Sequence, residues 1–142
     1  MVWWRLDDVS TWRAAPVIVG TGIDVIDIDR IARSIERYGD HFLRRIYTAG
    51  EVAYCQRKRR NAAESFAARF AAKEAAAKAL GTGIGFGVTW REIEVGRAPG
   101  GRPLLLLHGR AAEIAGQMGV RNTSLSITHT GTQSWAMVIL EN

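Results

Sequence analysis

The sequence predicts a single domain of the α+β class, in which an antiparallel sheet packs against one long helix and shorter helices. Helical patterns cluster in the first half of the chain and strand patterns in the second, which is typical of this class. An alanine-rich stretch from about Asn61 to Leu80 predicts the long helix, with Gly81 as its stop. Alternating residues at Ser124–Thr128 and Trp135–Leu140 predict a final hairpin. A length of 142 residues fits one such domain.

The first half of the domain begins with a predicted strand at Val17–Ile28, where Val and Ile alternate with other residues. The helix that follows carries an apolar stripe at helical spacing, formed by Ile28, Ile31 and Ile35. Thr48 and Glu51 fit a capping box, which predicts the start of another helix.

The second half contains shorter elements. Trp90–Gly96 alternates in polarity and predicts a strand, and Ala98–Arg102 has the composition of a turn. Leu104–Leu107 predicts a buried strand. Arg110–Met118 predicts a short helix that stops at Gly119.

Residues 1–16 differ from the rest, because they hold three tryptophans among charged residues without a clear period. We therefore divide the chain into an N-terminal extension at 1–16 and a domain at 17–142. The sequence has no apolar run near the roughly 20 residues of a membrane span and no signal-peptide pattern. Its single cysteine, Cys55, excludes an internal disulfide and a Cys-rich zinc site. These features predict a cytoplasmic protein that does not engage a membrane.

Positive charge is concentrated in one part of the chain. The whole chain has a formal net charge of +5, yet nine basic and only three acidic residues lie between Arg30 and Arg60. Arg30, Arg33 and Arg37 have the spacing that puts them on one helix face. The partner of this region is expected to be anionic, and nucleic acid, a phosphorylated ligand, an anionic membrane and an acidic protein all fit.

Asp24 follows Gly20 and Gly22 on one face of the first predicted strand, and these glycines leave room for a close approach. An aspartate within an apolar strand is costly to bury unless it is paired or bound to metal. The alternative is an exposed strand end. Asp24 and Glu74 together would offer two hard oxygen ligands, which suit Mg²⁺; the sequence leaves open whether they meet.

Glu74 and Lys78 lie one turn apart on one face of the long helix. Phe66 and Phe70 lie upstream on nearly the same side, so an inward face would partly desolvate the pair. From spacing alone, a surface ion pair between Glu74 and Lys78 is the favoured interpretation.

Three further features have a structural and a functional interpretation. His129 shares its strand parity with Leu125 and Ile127, and a hydrogen-bonded core histidine is the favoured interpretation. Gly81–Gly85 could wrap a phosphate, but it follows a helix, so a helix stop and a turn are favoured. Arg57–Arg60 is by default a solvated run.

Four groups of segments, taken in order along the chain, carry a family resemblance: Gly22–Ile26 with Arg30 and Ile31, Phe66–Ala75 with Lys78–Gly83, Ile93–Val95 with Gly101–Pro103, and Leu125–Thr130. Together they resemble the holo-acyl-carrier-protein synthase family of phosphopantetheinyl transferases. The stretch Arg69–Ala75 is the most specific of them. The resemblance covers about Val17–Glu141.

This resemblance implies a 4′-phosphopantetheinyl transferase-like fold, with coenzyme A as substrate and Mg²⁺ as cofactor. It implies that Asp24 and Glu74 bind Mg²⁺ and that Lys78 contacts the transferred phosphate. The nucleotide end of coenzyme A would be held by the remaining implied site residues, namely Arg69, Gly81, Gly83 and His129. Family members also resemble one another in forming homotrimers with active sites at subunit interfaces.

The implied reaction is attack of a carrier-protein serine on the β-phosphate of coenzyme A. The products are holo-acyl carrier protein and adenosine 3′,5′-bisphosphate. Phosphoryl transfer depends on positioning and charge neutralisation, and the nucleophile belongs to the substrate. This agrees with the lack of a convincing nucleophilic triad in the chain. Glu74 acting through a metal-bound water is one hypothesis for the base.

The acyl carrier protein implied as partner would dock through its acidic recognition helix on the face formed by Arg30, Arg33 and Arg37. Such carrier proteins serve fatty-acid or polyketide synthesis. Two other classes compete with this interpretation: a basic nucleic-acid-binding module and a non-enzymatic interaction domain for an acidic partner. No motif of interleaved aromatic and basic residues supports nucleic-acid binding. We therefore expect that the protein does not bind nucleic acid.

Overall fold

The computed structural model of the protein describes residues 17–142, so the predicted extension at 1–16 lies outside the described residues. The described part is a small α+β unit, as predicted. Its helices and strands, in chain order, are β1 Ile18–Asp27, α1 Ile28–Tyr38, α2 Asp40–Ile46, α3 Ala49–Gln56, α4 Ala62–Ala79, β2 Ile93–Arg97, β3 Pro103–Leu107, α5 Gly109–Gln117, β4 Asn122–His129 and β5 Gln133–Glu141.

Two antiparallel sheets surround the long helix. One has the order β1-β5-β4, and the other is the β2–β3 hairpin. Helix α4 packs across β1 and β5, and its buried alanines form much of the core. None of the helices within residues 17–142 is long and apolar enough to cross a membrane.

The predicted close approach at the two strand glycines is made by α4. A Cβ atom on Gly22 would overlap the carbonyl oxygen of Ala75, and one on Gly20 would overlap that of Ala79. The helix can therefore lie directly against the β1 backbone. Asp24, on the same face, is brought next to the last turns of α4.

The predicted boundaries and caps agree closely with the structure. Helix α3 begins with the capping box of Thr48 and Glu51, and α4 ends before Gly81, whose φ of +78° suits glycine. The prediction that Leu104–Leu107 is a buried strand was wrong in part, because Leu104 and Leu106 point to the exposed side of the two-stranded hairpin. Trp90–Glu92 forms a 3₁₀ turn rather than the first half of a strand.

Candidate active site

Asp24 is paired with Lys78. The Lys78 Nζ atom lies 3.1 Å from Asp24 Oδ1 and donates a second hydrogen bond to the carbonyl oxygen of Ile23 at 2.9 Å. The Asp24 side chain is only 16% exposed, whereas that of Lys78 is 51% exposed. The surface pair of Glu74 with Lys78 that spacing favoured is not formed among the described residues; strand β1 supplies the partner of Lys78 instead.

Glu74 lies close enough to this pair to be affected by it. Burial raises the pKa of Glu74, the neighbouring Asp24 carboxylate raises it further, and the charges of Lys78 and Arg30 oppose both effects. Asp24, Glu74 and Lys78 therefore form one group, which we call the carboxylate cluster. A carboxyl whose pKa is raised by burial and by a neighbouring carboxylate is a typical place for a cation.

The carboxylate cluster has the donor set of a magnesium site. Mg²⁺ binds one or two protein carboxylates and completes its octahedral shell with water and substrate phosphate. Within residues 17–142 there is no group of three or more His, Cys, Asp or Glu side chains that could hold a metal. Two oxygen ligands without His or Cys fit Mg²⁺ and do not fit a zinc site.

A second group of charges lines a cavity of about 330 Å³ beside the middle of α4. We call it the cationic pocket. Its aromatic and charged lining residues are Tyr54, Lys58, Glu64, Arg69, Arg97 and His129. It combines an aromatic face with four basic side chains, a composition suited to a phosphorylated aromatic ligand.

Arg69 is the buried cation of this pocket. It is 2% exposed, stacks 4.2 Å from the centre of the Tyr54 ring, and donates to Ser65 Oγ at 3.1 Å. Its Nε atom is buried without a hydrogen-bond partner, and no carboxylate of residues 17–142 pairs with its guanidinium. A buried charge is costly unless it is paired, so an anion from outside the chain is the expected partner.

The pKa of Tyr54 reflects the positive potential of the pocket. Burial raises the pKa of its hydroxyl, but a hydrogen bond from Lys58 and the charges of Arg97, Lys58 and Arg69 together bring the pKa below its usual value. Tyr54 and Arg97 were not predicted as site residues, and Lys58 belongs to the run Arg57–Arg60 that was interpreted as solvated. Arg97 continues the inward parity of Ile93 and Val95, which was the one available signal for it.

His129 lies at the mouth of the pocket. Its Nε2 atom is 3.3 Å from Glu64 Oε1, and its side chain is 51% exposed. The favoured interpretation as a core histidine was therefore wrong, because β4 runs out of the core at its end although His129 keeps the parity of Leu125. Glu64, in the first turn of α4, was not predicted from the sequence.

The two charged groups lie on different sides of α4. A helix turns about 100° per residue, so Glu74 is rotated by about 140° from Arg69 and Lys78 by only about 40° from Glu74. The chain thus brings Asp24, Glu74 and Lys78 together, and separately Arg69 and His129.

Gly81 and Gly83 end α4. The amides of Thr82 and Gly83 donate to the carbonyl oxygen of Ala77, and that of Gly81 donates to Lys78. This is the predicted helix stop. Because these amides are already used, a ligand held here would rely on the close approach that glycine permits.

The three predicted docking arginines share one groove. Arg30, Arg33 and Arg37 are exposed and line it together with Tyr38, whose ring lies 5.3 Å from the Arg37 guanidinium carbon. Arg30 also acts on Glu74 electrostatically. The basic face of α1 therefore continues to the carboxylate cluster.

Known proteins resemble this chain over most of its length. A family model described as the 4′-phosphopantetheinyl transferase superfamily matches residues 20–137. A holo-[acyl-carrier-protein] synthase of Koribacter versatilis is 58% identical over 89% of this chain and all of that protein. The crystal structure of the Neisseria meningitidis holo-[acyl-carrier-protein] synthase is similar, with a TM-score of 0.79, 34% identity, and coverage of 89% of this chain and 100% of that one. The Helicobacter pylori enzyme in complex with coenzyme A has a TM-score of 0.74 and 32% identity over 84% of this chain and 98% of that one.

Proposed function

Because the chain belongs to the 4′-phosphopantetheinyl transferase superfamily, we propose roles for the carboxylate cluster and the cationic pocket in that family's reaction. The chain is a transferase that moves the 4′-phosphopantetheine group from coenzyme A to a serine of apo-acyl carrier protein. The products are holo-acyl carrier protein and adenosine 3′,5′-bisphosphate. The observation that supports our assignment is the convergence of Asp24, Glu74 and Lys78 from β1 and α4.

Asp24 and Glu74 hold Mg²⁺ in this proposal. The ion would supply neutralisation of the diphosphate charge of coenzyme A. Lys78 adds a positive charge at the phosphate where negative charge develops during transfer. The serine hydroxyl belongs to the carrier protein, so the chain's own work is to bind, orient and neutralise.

Arg69 and His129 hold the nucleotide end of coenzyme A in the cationic pocket, with Gly81 and Gly83 allowing close passage at the end of α4. The buried guanidinium of Arg69, which lacks a carboxylate partner among residues 17–142, supports this assignment. Lys58 and Arg97 add charge at the same place. Phosphate oxygens are the natural acceptors for such donors.

The acyl carrier protein docks on the groove of Arg30, Arg33 and Arg37. An acidic helix of the carrier complements this exposed basic face. Because the charge of Arg30 also acts on Glu74, a carrier bound there presents its serine near the carboxylate cluster. A cytoplasmic location and a role in fatty-acid biosynthesis belong to the same proposal, in which the substrate is the carrier protein of fatty-acid synthesis.

The working enzyme is a homotrimer in this proposal, and its active sites lie between subunits. Two observations support it. The carboxylate cluster and the cationic pocket lie on different sides of α4, so an interface could join those of neighbouring copies. The outer face of the β1-β5-β4 sheet is apolar and exposed, and it includes Ile23, Val25, Trp135 and Met137.

The direct test of the activity is the intact mass of an apo-acyl carrier protein after incubation with the chain, coenzyme A and Mg²⁺. We expect a gain of one phosphopantetheine group, lost when a chelator is added and restored by excess Mg²⁺. Asp24→Asn should abolish the gain, and Arg121→Gln, which changes an exposed charge away from both groups, should not. A full gain in chelator would refute the metal assignment, and no gain under any condition would refute the activity.

A further inference from the structure

We propose that Lys78 and the divalent cation compete for Asp24, so that cation binding displaces the lysine and frees its ammonium group for the diphosphate. The inference rests on the proposed function of the carboxylate cluster, and it concerns how that site is regulated. The lysine would act as a resident counter-ion that is exchanged for the cation.

The contacts of Lys78 carry the proposal. Its ammonium group uses two of its three donors, one on Asp24 Oδ1 and one on the carbonyl oxygen of Ile23. Both acceptors belong to consecutive residues of β1, so the ammonium lies against the strand where a cation bound by Asp24 must also lie. Two cations on one carboxylate repel each other, so the binding of one weakens the binding of the other.

The exposure of the two side chains decides which one moves. Asp24 is 16% exposed and belongs to a strand that α4 overlies at the two glycines, so it is held in place. Lys78 is 51% exposed, lies in the last turn of α4, and has a flexible four-carbon side chain. Displacement of Lys78 therefore costs little and sends the ammonium group toward solvent, from which a diphosphate would approach.

Arg30 provides a matched control. It is a cation that acts on Glu74, as Lys78 does, but it makes no hydrogen bond or ion pair with Asp24. Removing either residue deletes one positive charge near the cluster. Only removal of Lys78 also vacates the Asp24 oxygen.

The test measures Mn²⁺ binding, by electron paramagnetic resonance of the free ion, in the absence of coenzyme A and carrier protein. We expect Lys78→Met to bind Mn²⁺ about two- to fivefold more tightly than Arg30→Met, since an exposed ion pair contributes a modest free energy. Asp24→Asn lacks the proposed carboxylate ligand, so its Mn²⁺ binding measures the background from sites outside the cluster. Lys78→Gln should match Lys78→Met, which guards against an effect peculiar to one substituent.

The outcomes separate the two proposals. Equal affinities for the Lys78 and Arg30 variants, both above that of Asp24→Asn, would overturn the competition and leave the metal site intact. Weaker binding by Lys78→Met would also overturn it. If the wild-type chain binds Mn²⁺ no better than Asp24→Asn, the metal site itself is refuted, and the competition with it.

Discussion

At the scale of single residues, Arg69 and Lys73 lie about one turn apart on α4 and are both buried, yet their charges have different surroundings. Lys73 Nζ donates to Glu51 Oε1 at 2.7 Å and to the carbonyl oxygens of Trp90 and Ile93. All three of its donors are used within the chain. Arg69 has a buried Nε without a partner. Lys73 is therefore a structural cation that ties α4 to α3 and β2, whereas we propose that Arg69 binds a ligand.

This contrast predicts that one of two matched variants mainly weakens coenzyme A binding, whereas the other mainly destabilises the fold. Arg69→Met should raise the KM for coenzyme A by about tenfold or more, because charge-assisted hydrogen bonds to phosphate are lost. It should lower the free energy of unfolding by only about 1–2 kcal/mol, because the hydrogen bonds to Ser65 and the contact with the Tyr54 ring are lost but no internal ion pair is broken. Lys73→Met should lower that free energy by about 3–5 kcal/mol, because Glu51 would remain buried and unpaired. Urea unfolding and steady-state kinetics measure both; equal destabilisation by the two variants would contradict the assignment.

At the scale of elements, the packing of α4 on β1 depends on small residues at the contact. Gly22 faces the Ala75 carbonyl so closely that no Cβ atom fits. Gly22→Ala should therefore push the helix from the strand, lower the free energy of unfolding by about 1–3 kcal/mol and separate Asp24 from Glu74. Gly116→Ala in α5, where nothing lies within 4 Å of a new Cβ atom, should stabilise the chain by up to about 1 kcal/mol. Thermal unfolding with and without Mg²⁺ measures the stability of both variants. If Gly22→Ala were as stable as the wild type, the close contact between β1 and α4 would be contradicted.

The start of α3 is tied to β2 by Glu94, and this link should make stability depend on pH. A hydrogen bond from Thr48 Oγ1, 2.6 Å long, lowers the pKa of Glu94; burial opposes this, and His108 adds to the lowering. A carboxyl whose pKa is depressed by folding stabilises the protein above its unfolded pKa, and the effect is lost as pH falls through the folded value.

Glu94→Gln should therefore be less stable than wild type at neutral pH, by about 1 kcal/mol or less because the group is partly solvated. The difference between the two proteins should shrink as the solution becomes more acidic than the folded pKa of Glu94. Urea unfolding across a pH series measures it. A difference that grows toward acid would mean that folding raises the pKa of Glu94 instead of lowering it.

At the scale of the whole molecule, the basic groove of α1 is separate from the cationic pocket, so the two substrates should respond to different substitutions. Arg33→Glu with Arg37→Glu should raise the KM for acyl carrier protein by tenfold or more, roughly, through lost charge complementarity, and should leave coenzyme A binding almost unchanged. Raising the salt concentration should weaken carrier use by the wild type more than by this variant. Arg121→Gln is the control. An unchanged KM for the carrier would refute the proposal that α1 is the docking face.

The assignment of active sites to subunit interfaces predicts complementation between two variants damaged in different groups, with activity measured at a coenzyme A concentration well below the wild-type KM. Glu74→Gln damages the carboxylate cluster, and Arg69→Met the cationic pocket. If each site combines the two groups from neighbouring subunits, subunits exchanged at equal amounts in a trimer should regain roughly a quarter of the wild-type activity, because that fraction of sites has two intact halves. Sedimentation of the mixture checks the trimer. No recovery despite confirmed exchange would mean that each chain supplies a whole site.

Local patterns determine much of this protein. The alanine run with its glycine stop, the Thr48 capping box and the alternating final hairpin all act through neighbours along the chain, so their structures follow from the sequence. The order of Asp24, Glu74 and Lys78 within recognisable segments likewise indicates the family. Sequence predictions were wrong where exposure depends on what covers a residue, as at Leu104 and His129.

The pairing of charges in this protein depends on contacts between segments that are distant along the chain. The sequence spacing predicts an ion pair between Glu74 and Lys78. In the structure, β1 packs beside α4, and Lys78 pairs with Asp24 of that strand instead. In the same way, Tyr54 and Arg97 reach Arg69 from distant segments, and Glu51 reaches Lys73 across 22 positions. An ion pair is set by distance in space and by burial, and neither is a local property of the chain. Local patterns along the chain therefore establish the helices, the strands and the chemical types at the site, whereas long-range packing selects the partner of each charge.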